Sequence, residues 1–281
     1  MRKLGLIAGE GELPAVMARN ASQRGLEVVV ISVSEQMDPE VVDIASRIHM
    51  VDLDDMACVV EILRDEGISE VAMIGKVWRK DTYRPCVEEA IERIAHSEAD
   101  RADVSLLTAF VRNLAREGIS VANQLDYLGD AVPEAGVLGQ LEPSPAEWED
   151  ISFGFKKAKA ISEAGIGQTV IVKNLSVVAV EAAEGTDEAI QRAGRLSRGC
   201  VVVKVAWQDQ DKRFDIPTVG PDTIDVMVAA GARALAIEAG RTIIVRREDA
   251  LAFADESRIP VVAVGEVETF EHNDKRRRSV R

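Results

Sequence analysis

Short hydrophobic runs alternate with longer amphipathic stretches along most of this chain. In the first half the pattern predicts strands at 4–8, 26–33, 47–52, 70–75 and 119–123, and helices at 14–24, 39–46, 55–66, 85–97 and 103–117. Glycine follows three of these helices, at Gly25, Gly67 and Gly118, where it commonly ends a helix. Strands that alternate with helices need crossover connections, so we expect a mostly parallel, doubly wound sheet.

The periodicity stops at 129–145, a segment rich in glycine and proline that is interpreted as an interdomain linker. Ser144-Pro145-Ala146-Glu147 then gives a helix start, with an N-cap, a proline and an acid in the first turn. Beyond it the pattern predicts strands at 168–173, 176–182, 200–206, 235–238, 241–245 and 260–264, and helices at 145–163, 186–195, 221–231 and 247–257. Some strand runs follow one another with no helix between them, which favours a mixed sheet.

A length of 281 residues is typical of two domains. We expect an α/β fold in which a Rossmann-like N-terminal domain, 1–130, is joined by a linker, 131–145, to a C-terminal α/β domain with a mixed sheet, 146–266. Residues 267–281 form a tail with a basic cluster, Lys275–Arg278. We interpret this tail as solvated, with weak attraction to anionic lipid as the alternative.

Composition narrows the classes of function. The formal net charge is −14, with 34 Lys and Arg against 48 Asp and Glu, which argues against nucleic acid as a partner. No apolar run approaches the roughly 20 residues of a membrane span, and the N-terminus lacks a signal-peptide pattern, so a cytoplasmic protein that begins at Met1 is expected. Three cysteines and three histidines, with no C-x-x-C pair, give little support for a zinc cage, a disulfide framework or a histidine-dependent nucleophile. Chemistry would therefore depend on carboxylates, lysines or a metal-bound water.

Two loops of the N-terminal half follow predicted strands and could bind an anion. Gly9, Gly11, Leu13 and Pro14 form a glycine-rich turn into a helix, which suits a phosphate or ribose; a tight turn without a ligand is the alternative. Pro14 occupies the position of the third glycine of the dinucleotide fingerprint, which weakens an NAD interpretation. The second loop runs from Gly75 through Lys76, Arg79 and Lys80. This basic cluster in an acidic protein suits an anionic substrate, and an ordinary solvated loop is the alternative.

Two segments of the C-terminal half carry clustered charges. In the first, Glu181, Glu184 and Asp187 could hold a hard cation such as Mg²⁺, whereas Thr186 and the acids could equally cap the next helix. In the second, Lys204 ends an apolar strand and Asp215 follows in a loop with Lys212 and Arg213. Cations around Asp215 would keep it ionised, able to bind Mg²⁺ or to orient a water; salt bridging on a surface loop is the alternative.

Several motifs, in order and with matching spacing, resemble the family of UDP-2,3-diacylglucosamine pyrophosphatases of the LpxI type, once catalogued only as a domain of unknown function. The resemblance extends over about residues 3–265. Its motifs are Leu4-Gly-Leu-Ile-Ala-Gly9-Glu-Gly11-Glu-Leu13-Pro14, Pro143-Ser-Pro-Ala-Glu-Trp148, Gly165-Ile-Gly167-Gln168, Ala179-Val-Glu181-Ala-Ala-Glu184-Gly185-Thr186-Asp187, Asp215-Ile-Pro217-Thr218-Val-Gly220 and Glu238-Ala-Gly240.

The resemblance implies Mg²⁺-dependent attack of water on the α-phosphate of UDP-2,3-diacylglucosamine, with Mn²⁺ as a substitute. The products are UMP and 2,3-diacylglucosamine 1-phosphate (lipid X), a step of lipid A synthesis. Asp215 is the implied catalytic residue, and Asp215 with Glu181 would bind the metal. The implied substrate-binding residues are Gly9, Gly11, Leu13, Pro14, Gly75, Arg79, Gln168, Glu184, Gly185, Thr186, Asp187, Lys204, Thr218 and Gly220.

The resemblance also implies that the product lies between the two domains. Because the substrate is a membrane-borne lipid, we expect a cytoplasmic enzyme that is peripheral to the inner membrane and has transient access to its surface. A homodimer is a further hypothesis. Three departures fall in the N-terminal half: Ala99–Asp103 replaces a Lys-Gly-Asp-Asp-like run, Lys80 replaces a proline after Arg79, and Leu125 replaces a histidine. Two other functions stay open, a non-catalytic sensor of nucleotide sugars and an NAD-linked oxidoreductase.

Overall fold

A computed structural model describes residues 2–52, 55–76, 103–208, 210–214 and 216–265. The chain forms two compact units. The first comprises Met1–Gly129 together with Asp211–Asp215, and the second comprises Asp130–Gln210 and Ile216–Arg281. A short segment from the second half of the chain thus belongs to the first unit, which the sequence pattern did not predict.

The first unit is built on a five-stranded parallel sheet. Its elements are β1 (Lys3–Ala8), α1 (Leu13–Gln23), β2 (Glu27–Ser32), α2 (Pro39–Ile44), β3 (Arg47–Met50), α3 (Met56–Asp65), β4 (Glu70–Ile74), α4 (Asp103–Arg116) and β5 (Ser120–Val121). The strand order is β3-β2-β1-β4-β5, and every pair is parallel. The expected doubly wound parallel sheet is therefore confirmed. The helix predicted at 85–97 lies outside the described residues.

The core of this unit includes a side chain from the returning segment. Phe214 is 3% exposed and packs in the same hydrophobic cluster as Leu63 of α3 and Leu114 of α4. The backbone N–H of Gln124 donates to the carbonyl of Lys212 at 2.8 Å. A buried aromatic ring and a backbone hydrogen bond thus hold residues 211–214 in the first unit.

The second unit contains a six-stranded mixed sheet. Its elements are β6 (Gly136–Val137), α5 (Pro145–Glu163), β7 (Thr169–Lys173), β8 (Ser176–Val180), α6 (Thr186–Leu196), β9 (Val201–Lys204), β10 (Thr218–Val219), α7 (Pro221–Ala230), β11 (Ala234–Glu238), β12 (Ile243–Ile244), α8 (Arg247–Glu256) and β13 (Val261–Val264). The strand order is β6-β13-β11-β9-β7-β8. Strands β9, β11 and β13 are parallel, whereas β6, β7 and β8 run antiparallel to their neighbours, which confirms the mixed sheet.

Three short strands differ from the sequence pattern. The strand predicted at 241–245 is reduced to β12, which pairs with β10 in a separate two-stranded parallel sheet. Neither β10 nor β6 was predicted. Strand β6 lies in the segment interpreted as a linker and pairs antiparallel with β13. Strands of two residues are too short to show an alternating pattern, so the sequence carries no signal for them.

Helices cover both faces of the six-stranded sheet. On one face Ile171, Val202 and Ile237 pack with α6, α7 and α8. On the other face Val170, Val172 and Val203 pack with α5. Alternate residues of each strand thus enter opposite cores. The remaining accessible parts of the sheet are its edges and strand ends, which is where open α/β sheets bind ligands.

None of the helices in the described part of the chain is long and apolar enough to span a membrane.

Candidate functional site

Polar side chains collect where β9 ends in the second unit. Lys204 is the last residue of β9, and its register partner in the antiparallel strand β7 is Thr169, the first residue of that strand. Glu181 follows β8, and its backbone N–H donates to the carbonyl of Thr169 at 2.9 Å. The antiparallel pairing of β7 therefore brings three polar residues from distant parts of the sequence to one edge of the sheet.

Lys204 is a buried cation that donates hydrogen bonds to oxygens of two other described elements. The residue is 8% exposed. Its Nζ donates to Thr186 Oγ1 at 3.1 Å and to the carbonyl of Thr218 at 2.9 Å. A buried ammonium must be compensated by hydrogen bonds or charge. These contacts hold the charge of Lys204 beside α6 and β10.

The hydroxyl of Thr186 connects Lys204 to a carboxylate. Thr186 Oγ1 donates to Glu181 Oε1 at 3.0 Å, and the Thr169 hydroxyl oxygen lies 3.4 Å from Thr186 Oγ1. Because Thr186 is the first residue of α6 and Gly185 precedes the helix, the interpretation of Thr186 as the helix cap is wrong. Lys204, Thr186 and Glu181 instead form a hydrogen-bonded chain, which we call the 204–186–181 chain.

The first turn of α6 adds backbone N–H donors beside the 204–186–181 chain. Gly185 has a φ of 86°, a left-handed conformation that favours glycine, and it supplies no side chain that could cap the helix. Amides in the first turn of a helix and an adjacent lysine together form a binding place for phosphate oxygens. The arrangement can therefore bind and orient an anionic group.

Gln168 extends the polar edge. Its backbone N–H donates to Glu181 Oε2 at 3.3 Å, and its side-chain Nε2 lies 3.5 Å from Gln210 Oε1. The preceding residue, Gly167, is required by packing, because a Cβ there would lie 2.2 Å from the carbonyl oxygen of Glu181. The structure thus places Gln168, Glu181, Thr186, Lys204 and the carbonyl of Thr218 together.

The described residues offer few ligands for the Mg²⁺ that the family resemblance implies. Within the described ranges no group of three or more His, Cys, Asp or Glu side chains could hold a metal ion. Both carboxylate oxygens of Glu181 already accept hydrogen bonds, from Thr186 and from Gln168. Asp215, the other predicted ligand, lies outside the described residues. The described residues alone therefore do not form a Mg²⁺ site, and Mg²⁺ binding stays a prediction.

Glu184 and Asp187 are not in the 204–186–181 chain. Glu184 Oε1 accepts from Arg192 Nη2 at 2.5 Å, and its Oε2 accepts from the N–H of Ala182 at 3.1 Å. Hydrogen bonds from its own backbone amide and from Arg192 lower the pKa of the Glu184 carboxyl. Asp187 is exposed on the first turn of α6. Glu184 organises its own turn, and its predicted contact with substrate stays a prediction.

In the segment before Asp215, Arg213 is paired with Asp211. Arg213 Nη2 donates to Asp211 Oδ2 at 2.5 Å, and this hydrogen bond lowers the pKa of Asp211. The guanidinium expected to accompany Asp215 is therefore engaged by Asp211. After this loop, the Thr218 hydroxyl donates to the carbonyl of Ile216 at 3.1 Å. Gly220 precedes α7, and its N–H donates to Thr223 Oγ1 at 3.3 Å.

In the first unit, the glycines after β1 and β4 pack against each other. A Cβ on Gly9 would lie 2.6 Å from the carbonyl oxygen of Lys76, and a Cβ on Gly75 would lie 2.7 Å from the carbonyl carbon of Gly9. Glu10 and Lys76 exchange backbone hydrogen bonds of 2.9 and 2.8 Å. Close backbone packing thus requires glycine at Gly9 and Gly75, and their predicted contact with substrate stays a prediction.

The other residues of the loop after β1 differ from one another in their exposure to solvent. Gly11 has a φ of 99° and open space around it. Pro14 is buried in the first turn of α1, and Leu13 is half-buried. Gly11 is therefore the residue of this loop best placed to let a ligand approach the backbone. Arg79 lies outside the described residues, so its predicted role stays a prediction.

Three residues of the polar edge were not singled out from the sequence. Thr169 is fully buried, and its hydroxyl contacts that of Thr186 in the 204–186–181 chain. Glu238 belongs to the family motif Glu238-Ala-Gly240, and it ends an apolar strand just as Lys204 does. Arg241 follows it by three residues and pairs with it. A charged residue at the end of an apolar run is a signal that identifies Glu238, whereas nothing in the sequence marks Thr169.

Together these features define a class: a two-domain α/β protein whose second unit carries a lysine, a threonine and a carboxylate joined by hydrogen bonds at strand ends of its mixed sheet. Residues 3–131 match the family described as the LpxI N-terminal domain, and residues 134–262 match the LpxI C-terminal domain. The chain is 31% identical to UDP-2,3-diacylglucosamine pyrophosphatase LpxI of Caulobacter vibrioides over 278 residues, which cover 94% of this chain and 98% of that protein. The chain belongs to the LpxI family, which confirms the resemblance seen in its motifs.

Other similarities are weaker. The bifunctional purine biosynthesis protein PurH of Bacillus subtilis is 29% identical over 161 residues, which cover 56% of this chain and 28% of that protein. Among solved structures, N5-carboxyaminoimidazole ribonucleotide synthetase from Thermotoga maritima aligns with 62% of this chain and 34% of that chain, at 17% identity and a TM-score of 0.27. A likeness at that score supports no functional argument.

Proposed function

We propose that this protein is an enzyme that hydrolyses UDP-2,3-diacylglucosamine to UMP and 2,3-diacylglucosamine 1-phosphate, a step of lipid A synthesis. The observation that carries the proposal is the 31% identity to a UDP-2,3-diacylglucosamine pyrophosphatase over nearly the whole of both chains. The presence of both family domains, in order, supports the same reaction class.

The reaction adds one water across the pyrophosphate. The water oxygen forms a bond to one phosphorus, and the bond from that phosphorus to the bridging oxygen breaks. The bridging oxygen leaves with the other phosphate, and the proton of the attacking water passes to a base. Attack at the α-phosphate, which the family resemblance implies, leaves the water oxygen on UMP.

The 204–186–181 chain suits the phosphate part of this substrate. In the proposal, Lys204 Nζ and the first-turn amides of α6 bind phosphate oxygens, whose charge grows as the bridging bond breaks. The Thr186 hydroxyl keeps Lys204 oriented because it accepts from Lys204 and donates to Glu181. An oriented donor needs no rearrangement during the reaction, so it stabilises the transition state effectively.

Asp215 is proposed as the group that orients and deprotonates the attacking water. The support is its place in the D-I-P-T-V-G motif, the fifth in the series of matched motifs. A carboxylate in this role contributes roughly 10²-fold or more to the rate.

Mg²⁺ is proposed as the cofactor. When bound, it would neutralise phosphate charge and take oxygen ligands from the substrate and from one or two carboxylates. Glu181 and Asp215 are the proposed protein ligands. A lipid substrate also implies transient contact of the enzyme with a membrane surface, which flotation with anionic vesicles would measure.

The proposal is tested by UMP release from UDP-2,3-diacylglucosamine in detergent, with Mg²⁺ or with EDTA. We expect turnover with Mg²⁺, a loss of at least about 10²-fold in Asp215→Ala, and wild-type turnover in the control Arg247→Gln, whose guanidinium donates to the carbonyl of Asp130. Substrate binding without UMP release from the folded wild-type protein would favour a sensor. Turnover that requires NAD would favour an oxidoreductase.

A further inference from the structure

A cleft of about 460 Å³ lies in the second unit, at the ends of β7 and β9 that point away from Lys204. Its walls include Lys173, the last residue of β7, and Val201, the first residue of β9. Each residue of a strand advances about 3.3 Å, so Lys204 lies roughly 10 Å from the cleft along β9. The cleft is therefore separate from the 204–186–181 chain, and the proposed reaction uses none of the residues that line it.

Two arginines of this cleft lie against the same pair of glycines. The N–H of Gly199 donates to the carbonyl of Gly231 at 2.7 Å, which joins the turn after α6 to the turn after α7. A Cβ on Gly231 would lie 3.2 Å from Arg198 Nη1. A Cβ on Gly199 would lie 3.2 Å from Arg233 Cδ. Each arginine thus packs on the glycine of the other turn, and we call these two exposed side chains the 198–233 pair.

Two carboxylates also line the cleft, and both are bound by nearby donors. Glu147 Oε2 accepts from the N–H and from the hydroxyl of Ser144, each at 2.7 Å. The Asp150 carboxylate accepts from the N–H of Asn174 at 2.9 Å and from the N–H of Leu175 at 2.6 Å. Among the described residues no carboxylate forms an ion pair with the 198–233 pair. The described carboxylates thus leave the donors of the two guanidinium groups available to a ligand.

Lys173 adds a third positive charge to the cleft. Its Nζ donates to Ser197 Oγ at 3.1 Å and to the carbonyl of Arg198. These contacts join the end of β7 to the turn that carries Arg198, so this turn is held by both Lys173 and Gly231. Donors on a fixed turn bind a ligand with less loss of conformational freedom than mobile side chains do.

We propose that the 198–233 pair, with Lys173 beside it, binds a phosphate group. A guanidinium presents planar N–H donors that match phosphate oxygens in pairs, and hydrogen bonds between charged groups are stronger than those between neutral ones. Three cations in one cleft, against two bound carboxylates, give a local positive charge in a chain whose formal net charge is −14. This site is additional to the proposed reaction and does not depend on it.

The phosphate could belong to a soluble compound or to a lipid. Two exposed leucines lie next to the cleft in sequence, Leu175 two residues after Lys173 and Leu196 two residues before Arg198. The acyl part of a phospholipid would contact such side chains, whereas a soluble phosphate ester would not need them. Recognition of the phosphate is common to both sources, so the experiment has one arm for each.

The first arm titrates inorganic phosphate into the isotope-labelled full-length chain and follows the backbone amide signals of Gly199 and Gly231 by NMR. Phosphate bound near Lys204 is recorded separately, at the amides of that site. We expect saturable shifts at both glycines, with an affinity about tenfold or more above that of acetate at equal ionic strength.

Arg198→Gln and Arg233→Gln should each weaken phosphate binding about tenfold or more, because each loses charge-assisted hydrogen bonds. Arg198→Lys should weaken it as well, because an ammonium keeps the charge and loses the planar donors. The matched control is Arg195→Gln, which changes an arginine in the last turn of α6 outside the cleft and should bind phosphate as the wild type does. UMP release should stay at the wild-type rate in all four variants, so a failure of this site is distinguishable from a failure of the proposed function.

The second arm measures co-sedimentation with phosphatidylcholine vesicles that contain or lack phosphatidic acid. Sedimentation that requires phosphatidic acid and is lost in Arg198→Gln and Leu196→Ser would assign a lipid-borne phosphate. Phosphate binding in the first arm without sedimentation would assign a soluble phosphate ester. Sedimentation that Arg198→Gln retains would exclude this cleft as the lipid contact.

The proposal is overturned if inorganic phosphate causes no shifts at Gly199 and Gly231 beyond those caused by acetate. It is equally overturned if Arg198→Gln and Arg233→Gln bind phosphate as well as Arg195→Gln does. Both arginines of the pair are exposed, so their variants should fold. If one variant did not fold, the variant at the other position decides.

Discussion

Thr186→Val removes the central hydroxyl of the 204–186–181 chain with almost no change of shape. Threonine and valine are both β-branched and of similar volume, so the first turn of α6 should keep its backbone. What disappears is one donor to Glu181, at 3.0 Å, and one acceptor for Lys204, at 3.1 Å. The variant therefore tests whether the chain orients Lys204 or only fills space.

The size of the effect follows from these contacts. Both partners of the hydroxyl are charged, and a hydrogen bond to a charged group contributes about 1.5–3 kcal/mol. Lys204 keeps the carbonyl of Thr218, and Glu181 keeps the N–H of Gln168, so neither charge is left bare. We expect the free energy of unfolding to fall by about 1.5–3 kcal/mol in total. The loss of an oriented cation should lower kcat/KM for UMP release about tenfold or more.

The assay combines urea denaturation with UMP release, and the matched control is Thr186→Ser. Serine keeps the hydroxyl and loses one methyl group, so its stability should fall by about 0.8 kcal/mol and its activity should stay within about threefold. If Thr186→Val matched the wild type in both stability and activity, Lys204 would not depend on this hydroxyl. If serine were as damaging as valine, the methyl group, and not the hydrogen bonds, would be responsible.

Three further predictions concern other parts of the chain. Hydrogen bonds, the largest of them from Arg47, lower the pKa of the Glu66 carboxyl from 4.5 to about 2. The ionised Glu66 therefore stabilises the fold above pH 4.5, and this contribution is lost as the pH falls towards 2. The stability difference between wild type and Glu66→Gln should shrink over that interval in acid titrations, and a constant difference would refute the assignment. Gly9→Ala should lower the unfolding free energy by about 1–3 kcal/mol, because its Cβ would lie 2.6 Å from the Lys76 carbonyl oxygen, whereas wild-type stability would contradict the packing. Activity should vanish in EDTA, return with Mg²⁺ or Mn²⁺, and resist thiol reagents; full activity after exhaustive metal removal would exclude the cofactor.

The main elements of both sheets could be predicted from the sequence because their strands are continuous apolar runs. Strand β9, for example, is Val201-Val202-Val203-Lys204 and is buried on both faces. The two-residue strands β6 and β10 could not be predicted, because they depend on the partner strand beside them and not on a local pattern. The place of Phe214 in the core of the first unit is equally a matter of long-range packing.

The candidate site was predictable in its residues and less so in their roles. Lys204 could be singled out because a charged residue at the end of an apolar strand is costly to bury unless it has specific partners. Thr186 fits the pattern of a helix cap, and only the three-dimensional position of Lys204 and Glu181 shows that its hydroxyl is used elsewhere. Gly9 and Gly75 fit the pattern of ligand-binding glycines, and the structure adds a second reason for glycine there, the close approach of their two backbones. Sequence patterns thus indicate which residues matter, while the contacts decide why.

The central claim is that this protein adds water across the pyrophosphate of UDP-2,3-diacylglucosamine. The most direct measurement is one round of turnover in H₂¹⁸O with Mg²⁺, followed by mass spectrometry of both products. We predict equal amounts of UMP and 2,3-diacylglucosamine 1-phosphate with one ¹⁸O atom per turnover, and attack at the α-phosphate places that atom in UMP. Label in the sugar phosphate would show that water attacks the other phosphorus, and the assignment of a hydrolysis would stand. No UMP and no label from the folded enzyme would contradict the claim.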